Sequence, residues 1–251
     1  MQPSRPESSG PRTGRWLALA AISVVFAFVY AVYLGLIAVP ERFNPWAPLD
    51  VVAAPNFLTA YKLARARSEP ARCLNAMAQT AMQYDLLPDR TTGPGCGFDN
   101  AVRLRAASIR FGAPLSLSCP MALSFFMWER HALQQSAVAA FGQRVVAVDH
   151  LGSYACRNVN RGEGAVVEGA RSRHATADAL DISAFVLEDG RRISVTQWLD
   201  ARTSRDTSAS QWLRAAHTGA CRFFDGVLGP DYNAAHRDHF HLETGGHGMC
   251  I

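Results

Sequence analysis

The chain has 251 residues, 49% of them hydrophobic, and a formal net charge of +4. Once a long N-terminal apolar run is set aside, the remaining apolar side chains suffice for one well-packed domain. The basic residues, nearly all arginine, are dispersed among acidic ones, which argues against a nucleic-acid partner and leaves only a mild preference for anionic surfaces such as a cell wall or lipid headgroups.

Residues 1–15 are polar and carry Arg5, Arg12 and Arg15 against Glu7, as a cytoplasmic tail would. From Trp16 to Val39 no residue is charged. As a helix rising ~1.5 Å per residue, that run crosses the ~30 Å hydrocarbon core of a bilayer. It is too long for the apolar core of a cleaved signal peptide, and no small-x-small site comes directly after it. An uncleaved inner-membrane anchor over 16–39 is the expectation. Positive charge ahead of the span places the N-terminus in the cytoplasm and everything after Pro40 in the periplasm.

Residues 40–70 read as a periplasmic linker, because Pro40, Pro45, Pro48 and Pro55 favour an extended tether from Glu41 to about Pro55. A short helix is expected from Asn56 to Arg67. The folded domain is expected over 71–251. Cys73, Cys96, Cys119, Cys156, Cys221 and Cys250 all lie beyond the span and include no CxxC pair. In an oxidising compartment they predict three disulfides, which proximity and order would pair as Cys73–Cys96, Cys119–Cys156 and Cys221–Cys250.

Within the domain, Leu74, Met77, Ala78, Ala81, Met82 and Leu86 recur at helical spacing and predict a helix from Ala71 to Leu87. Thr91–Gly97 reads as a Gly/Pro loop, and Val102, Leu104 and Ala106 alternate with Arg103 and Arg105 as on a strand. Ser118 to about Ala140 predicts a long helix, with Ser118 as its cap and Pro120 in its first turn. A buried strand comes next at Arg144–Asp149, then a polar loop at Asn158–Gly169. Ala179–Leu187 is strand-like, Asp189-Gly190 is a hairpin turn, and Arg192–Val195 is the returning strand. Thr196–Ala201 could start a helix, and Ser208–Phe224 is a better one. Gly226–Asn233 reads as a loop, and the last strand is Asp238–Leu242. These elements predict an α+β fold, a small antiparallel sheet flanked by helices and stapled by disulfides.

Two blocks concentrate the chemistry, Ser172–Asp181 and His236–His241. On a strand His239 and His241 point one way and Phe240 the other. Imidazole nitrogen and carboxylate oxygen suit Zn2+, and three protein ligands leave a position for water. A further His or Asp beside that water could move its proton. The sheet is therefore expected to carry a mononuclear zinc site. His150, His217 and His247 lack such neighbours and read as structural, and His131 reads as a surface or packing residue of the long helix and not a ligand.

Ser172-x-His174-x6-Asp181 followed by His239-x-His241 resembles the site of the group comprising lysostaphin-type peptidases, D-alanyl-D-alanine metallopeptidases and the hedgehog signalling domain. Within that group, Cys96-Gly97, Leu117-Ser118-Cys119-Pro120, Tyr154-Ala155-Cys156-Arg157-Asn158 and Val227-Leu228-Gly229-Pro230 resemble the bacterial extensin-like C-terminal domain, over about Cys73 to Cys250. The resemblance implies His174, Asp181 and His241 as zinc ligands. It implies His239 beside the metal water, and His236 as a second active-site imidazole. Asp238 falls at the place of an acidic general base, and Arg157 approximately at that of an arginine meeting the substrate carboxylate. Many relatives have glycine where this chain has Ala177.

The expected activity is that of a zinc peptidase cleaving peptide bonds in peptidoglycan, with an endopeptidase favoured over a carboxypeptidase by the three-histidine terminal block. The alternative is a non-catalytic peptidoglycan- or partner-binding module on the same fold, since fold is not function.

Overall fold

A computed structural model describes residues 12–160, 166–198, 208–246 and 248–251. The chain divides into two compact units, Met1–Ala47 and Pro48–Ile251. His247 and most of the tail lie outside the described residues.

In the first unit, helix α1 (Arg12–Tyr33) contains the apolar stretch Gly14–Tyr33, 20 residues long and sufficient in length and composition to cross a membrane or to serve as a signal sequence. It stops short of Val39. Leu34 N–H donates to Tyr30 O and Gly35 N–H to Val32 O, and Gly35 takes φ +72, the left-handed conformation that ends helices. A single 3-10 turn, Glu41–Phe43, lies beyond it.

The second unit starts inside the stretch expected to be a free tether. Leu49 and Val51 are buried in the same core as the rest of the domain. Two long side chains hold this segment by its carbonyls. His131 Nε2–H donates to Val51 O at 2.8 Å, and Lys62 Nζ donates to Pro48 O at 3.4 Å. Helices α2 (Thr59–Arg67) and α3 (Pro70–Met77) come next. The helix expected to reach Leu87 ends at Met77, whose carbonyl accepts both the N–H and the hydroxyl of Thr80. Residues beyond it become strand β1 (Gln83–Leu87), because they pair antiparallel with β4 (Ala101–Ala106). Between these lies a hairpin, β2 (Arg90–Gly93) and β3 (Cys96–Phe98), where a loop was expected. Strand β5 (Leu115–Ser118) completes a three-stranded sheet, β1-β4-β5.

The long helix expected from Ser118 is present but interrupted. Ser118 Oγ accepts the N–H of Met121 and starts α4 (Cys119–Trp128). A π-helical turn at Glu129–Leu133 leads into α5 (Gln134–Phe141), and Gly142 at φ +67 ends it. Strand β6 (Val145–Gly152) comes after it, then β7 (Asn158–Asn160) and β8 (Val166–Arg171), which form a two-stranded ribbon in the region read as loop.

The site is built on a six-stranded sheet. Strand β9 (Ala179–Leu187) runs antiparallel to β6. Its second half pairs with β10 (Arg192–Ser194), and residues 195–198 then form a 3-10 turn, the rest of that expected helix lying outside the described residues. Helix α6 (Ser208–Ala220) precedes β11 (Gly226–Leu228), a strand at the start of an expected loop. Strand β12 (Phe240–Glu243) pairs antiparallel with both β11 and the first half of β9, and β13 (Met249–Cys250) runs parallel to β11. Behind the sheet an aromatic core links Trp128, Phe185, Trp212 and Phe240, all under 3% exposed, with ring centroids 5.1–6.2 Å apart.

Three disulfides join Cys73 to Cys119, Cys96 to Cys156 and Cys221 to Cys250. Only the last matches the expected order. The β2–β3 hairpin carries Cys96 away from Cys73 to the segment before β7, while α3 packs on the start of α4 and brings Cys73 to Cys119. Sequence proximity is thus overruled by helix–helix and hairpin packing.

Candidate metal centre

His174 sits in a 3-10 turn, Arg173–Thr176, capped by Ser172 Oγ, which accepts the N–H of His174 at 3.3 Å. Ala177 closes the turn at φ +58 with its N–H on His174 O. The glycine-type conformation is therefore kept by an alanine. Asp178 holds the turn from beyond, accepting the hydroxyls of Ser118 and Thr176 at 2.5 and 2.6 Å. The segment before β7 supports the ligand turn at three points. Ser172 N–H donates to Arg157 O, Ala155 N–H donates to His174 O, and His174 Nδ1–H donates to Ser153 O at 3.2 Å. That last bond leaves Nε2 of His174 as the free lone pair.

Asp181 and His241 are opposite one another in the β9–β12 ladder, so their side chains stand on one face. Phe240 and Ile182, the next pair along, are fully buried on the other. Three donor groups meet there. Asp181 lies 3.1 Å from His174 Nε2 through Oδ2 and 2.8 Å from His241 Nδ1 through Oδ1. The two imidazole nitrogens are 3.3 Å apart. All three residues are buried. Burial alone would raise the Asp181 carboxyl, but hydrogen bonds and charge from His174 and His241 outweigh it and hold the carboxyl well below the usual carboxylate range. Burial alone would lower His241, but hydrogen bonds to Asp181 and Glu243 raise it to about 9.

Next to this cluster His239 Nε2 lies 3.7 Å from Asp181 Oδ1, and His239 Nδ1–H donates to Asp238 at 2.9 Å. His236 ends a 3-10 turn, Ala234–His236, and its Nδ1–H donates to Asn233 Oδ1 at 2.7 Å. Its ring is 5.2 Å from that of His239 and 5.7 Å from that of His241. Burial, then the charges of His241 and His239, lower His236 to about 4, so it is neutral at physiological pH. Arg157 is exposed, makes no ion pair among the described residues, and its charge reaches His236.

Residues 71–251 match the family model described as "Extensin-like protein C-terminus". The chain belongs to that family. No curated protein and no solved structure matches it. On the extensin-like domain the structure brings His174, Asp181 and His241 together, with His239 and His236 alongside, Asp238 behind His239 and Arg157 at the rim. These three donors could hold a divalent ion. A second histidine–cysteine group, His217, Cys221 and Cys250, is committed elsewhere, the cysteines to their disulfide and His217 Nε2 to Ile251 O.

One residue escaped the sequence reading. Glu243 Oε2 lies 3.0 Å from His241 Nε2, and its carboxyl is lowered because the hydrogen bond from His241 outweighs burial. The signal was present in the alternation His241-x-Glu243, which puts both on one face of β12, while the strand expected from Asp238 starts only at Phe240 and leaves His239 in the bend before it.

Proposed function

We propose that this extensin-like protein is a membrane-anchored zinc peptidase acting in the periplasm on peptide bonds of peptidoglycan, with crosslink cleavage favoured over trimming of a terminal residue. The observation that carries the reading is the convergence of His174 Nε2, an Asp181 oxygen and His241 Nδ1 within 2.8–3.3 Å of one another, on a face where each imidazole's other nitrogen already has an oxygen partner. Zinc–ligand bonds of ~2.0–2.1 Å in a tetrahedron set neighbouring donors ~3.4 Å apart. The donor set therefore suits Zn2+ with little rearrangement.

When bound there, Zn2+ would supply Lewis acidity, lowering the pKa of water toward ~7 and polarising a scissile carbonyl. The remaining chemistry falls to the chain's own groups. Asp238 accepts the Nδ1 proton of His239, which turns the lone pair of His239 Nε2 toward the metal side. His239 is thereby placed to take a proton from water and return it to the departing amine, with Asp238 as its orienting partner. His236, neutral and with Nε2 free of its Asn233 bond, offers a further acceptor on the same side. The exposed Arg157 guanidinium suits a substrate carboxylate. The apolar helix within Arg12–Tyr33 would hold the domain at the inner membrane, with Arg5, Arg12 and Arg15 on the cytoplasmic side.

The test is digestion of purified crosslinked peptidoglycan by the full chain in detergent with Zn2+, read by mass spectrometry of the released muropeptides. Crosslinked dimers should become monomers, and His174→Ala should be inert. His239→Ala should lose ~10²–10⁴-fold in rate while retaining its metal. A wild type that holds zinc and binds the polymer but releases nothing would replace the peptidase with a binding module.

A further inference from the structure

We propose that Glu243 is a positioning residue for the metal centre, fixing His241 with Nε2–H on the carboxylate and Nδ1 facing His174 and Asp181, and that Gly226 and Gly246 are glycines in order to seat it. The inference rests on the zinc reading and adds to it a third carboxylate besides Asp181 and Asp238.

The first observation is direction. His241 has two nitrogens and two carboxylates, Asp181 on Nδ1 at 2.8 Å and Glu243 on Nε2 at 3.0 Å. Only the Nδ1 side faces the other two donors. A carboxylate on Nε2 keeps the proton there and leaves the Nδ1 lone pair for a metal, which also makes that nitrogen a stronger donor. The second observation is the seat. A Cβ on Gly226 would come within 2.5 Å of Glu243 Cγ and 2.6 Å of Oε1, and one on Gly246 within 2.2 Å of Oε1. Gly226 is the ladder partner of Glu243 on β11, and Asp225 N–H donates to Glu243 O at 2.9 Å. Backbone thus walls the side chain on two sides, and a side chain at either glycine would push the carboxylate off His241. The third observation is charge. Once a metal has displaced the His241 proton, the two imidazole ligands are neutral and Asp181 and Glu243 leave two negative charges, which a divalent cation balances.

The test measures metal and proton separately from activity. Zn2+ affinity of the full chain in detergent is read by competition with a chromophoric chelator, for wild type, Glu243→Gln, Glu243→Ala, Gly226→Ala and His174→Ala. Imidazole ¹⁵N spectra of metal-free and zinc-loaded protein report which nitrogen of His241 carries the proton, and circular dichroism controls for folding. Affinity should fall ~10–100-fold in Glu243→Ala and in Gly226→Ala, with less loss in the shape-preserving Glu243→Gln. In wild type the protected Nε2–H of His241 should appear with and without zinc, and it should exchange freely in Glu243→Ala. If the folded Glu243 variants bind zinc as wild type does while His174→Ala does not, the zinc reading stands and the role of Glu243 falls. A wild type without zinc affinity overturns both, and a His241 bound to metal through Nε2 overturns the positioning role alone.

Discussion

At His241 a single proton links stability to metal affinity. Without metal, its hydrogen bonds to two carboxylates raise it to about 9 against the burial that would lower it, while in the unfolded chain it titrates near ~6.5. A raised folded pKa contributes stability that is fully present below ~6.5 and lost as pH rises through about 9. Metal binding runs the opposite way, because the ion must displace the proton on Nδ1. Zinc affinity should therefore climb ~10-fold per pH unit up to about 9. Calorimetry in buffers of different ionisation enthalpy should find about one proton released per ion at neutral pH. Equal affinity at pH 6 and pH 8 would contradict this. The residues of the centre were legible in the sequence because two short motifs hold them, with His239 and His241 separated by one residue. Glu243 was legible only as a continuation of the same alternation. Its partner glycines were not, since a close backbone approach across β11 and β12 leaves no trace in either strand's composition.

At the scale of elements, β12 does two jobs at once. Its odd face carries His241 and Glu243, with His239 in the bend just before it, and its even face sinks Phe240 and Leu242 into the core. Phe240 packs against the rings of Phe185, Trp198 and His217 at 6.1, 5.8 and 5.3 Å. Phe240→Ala should cost ~3–5 kcal/mol by urea denaturation and weaken zinc binding as well, because the strand that aims His241 loses its anchor. Val138→Ala, at a residue 49% exposed, should stay within ~0.5 kcal/mol. A Phe240→Ala protein with unchanged stability would mean that the ladder alone fixes the strand. β4, with its clean alternation, and β9, a mostly apolar run closed by Asp189-Gly190, were readable from the sequence, as was the Ser118 cap of α4. β1 was not, because Met82 and Leu86 fall on helical spacing with Leu74 and Ala78. Pairing with β4 decides their conformation, and that partner lies well downstream. β11, at three residues, is too short to show any period.

For the molecule as a whole, the folded unit is larger than the family match. The match begins at residue 71, while the compact unit begins at Pro48 and buries Leu49, Val51 and Leu63 in the shared core. Each such side chain contributes ~2 kcal/mol of transfer free energy as an upper estimate, part of which is offset by the entropy of ordering the segment. A fragment of residues 71–251 should therefore melt ~5–15 °C below one of residues 48–251, at ~2–4 °C per kcal/mol for a domain of this size. Equal melting temperatures by calorimetry would show that residues 48–70 ride on the surface. Proline spacing alone could not reveal this, because a proline-rich segment reads as extended whether it is solvated or laid against a helix. Here His131 and Lys62 fasten it by its carbonyls.

The disulfides carry a consequence for how the chain matures. Cys73–Cys119 and Cys96–Cys156 interleave along the sequence, each loop enclosing one end of the other. Cysteines oxidised in order of synthesis would join Cys73 to Cys96 and Cys119 to Cys156, and neither bond is native. Reaching the native set from there requires a thiolate to attack a formed disulfide, so maturation should depend on reshuffling catalysts and not only on an oxidant. Refolding of the reduced chain with an oxidant alone should accumulate the consecutive pairs in peptide maps, and a disulfide isomerase should convert them to the interleaved set. Equal native yield without the isomerase would mean that the fold aligns its thiols before any bond forms.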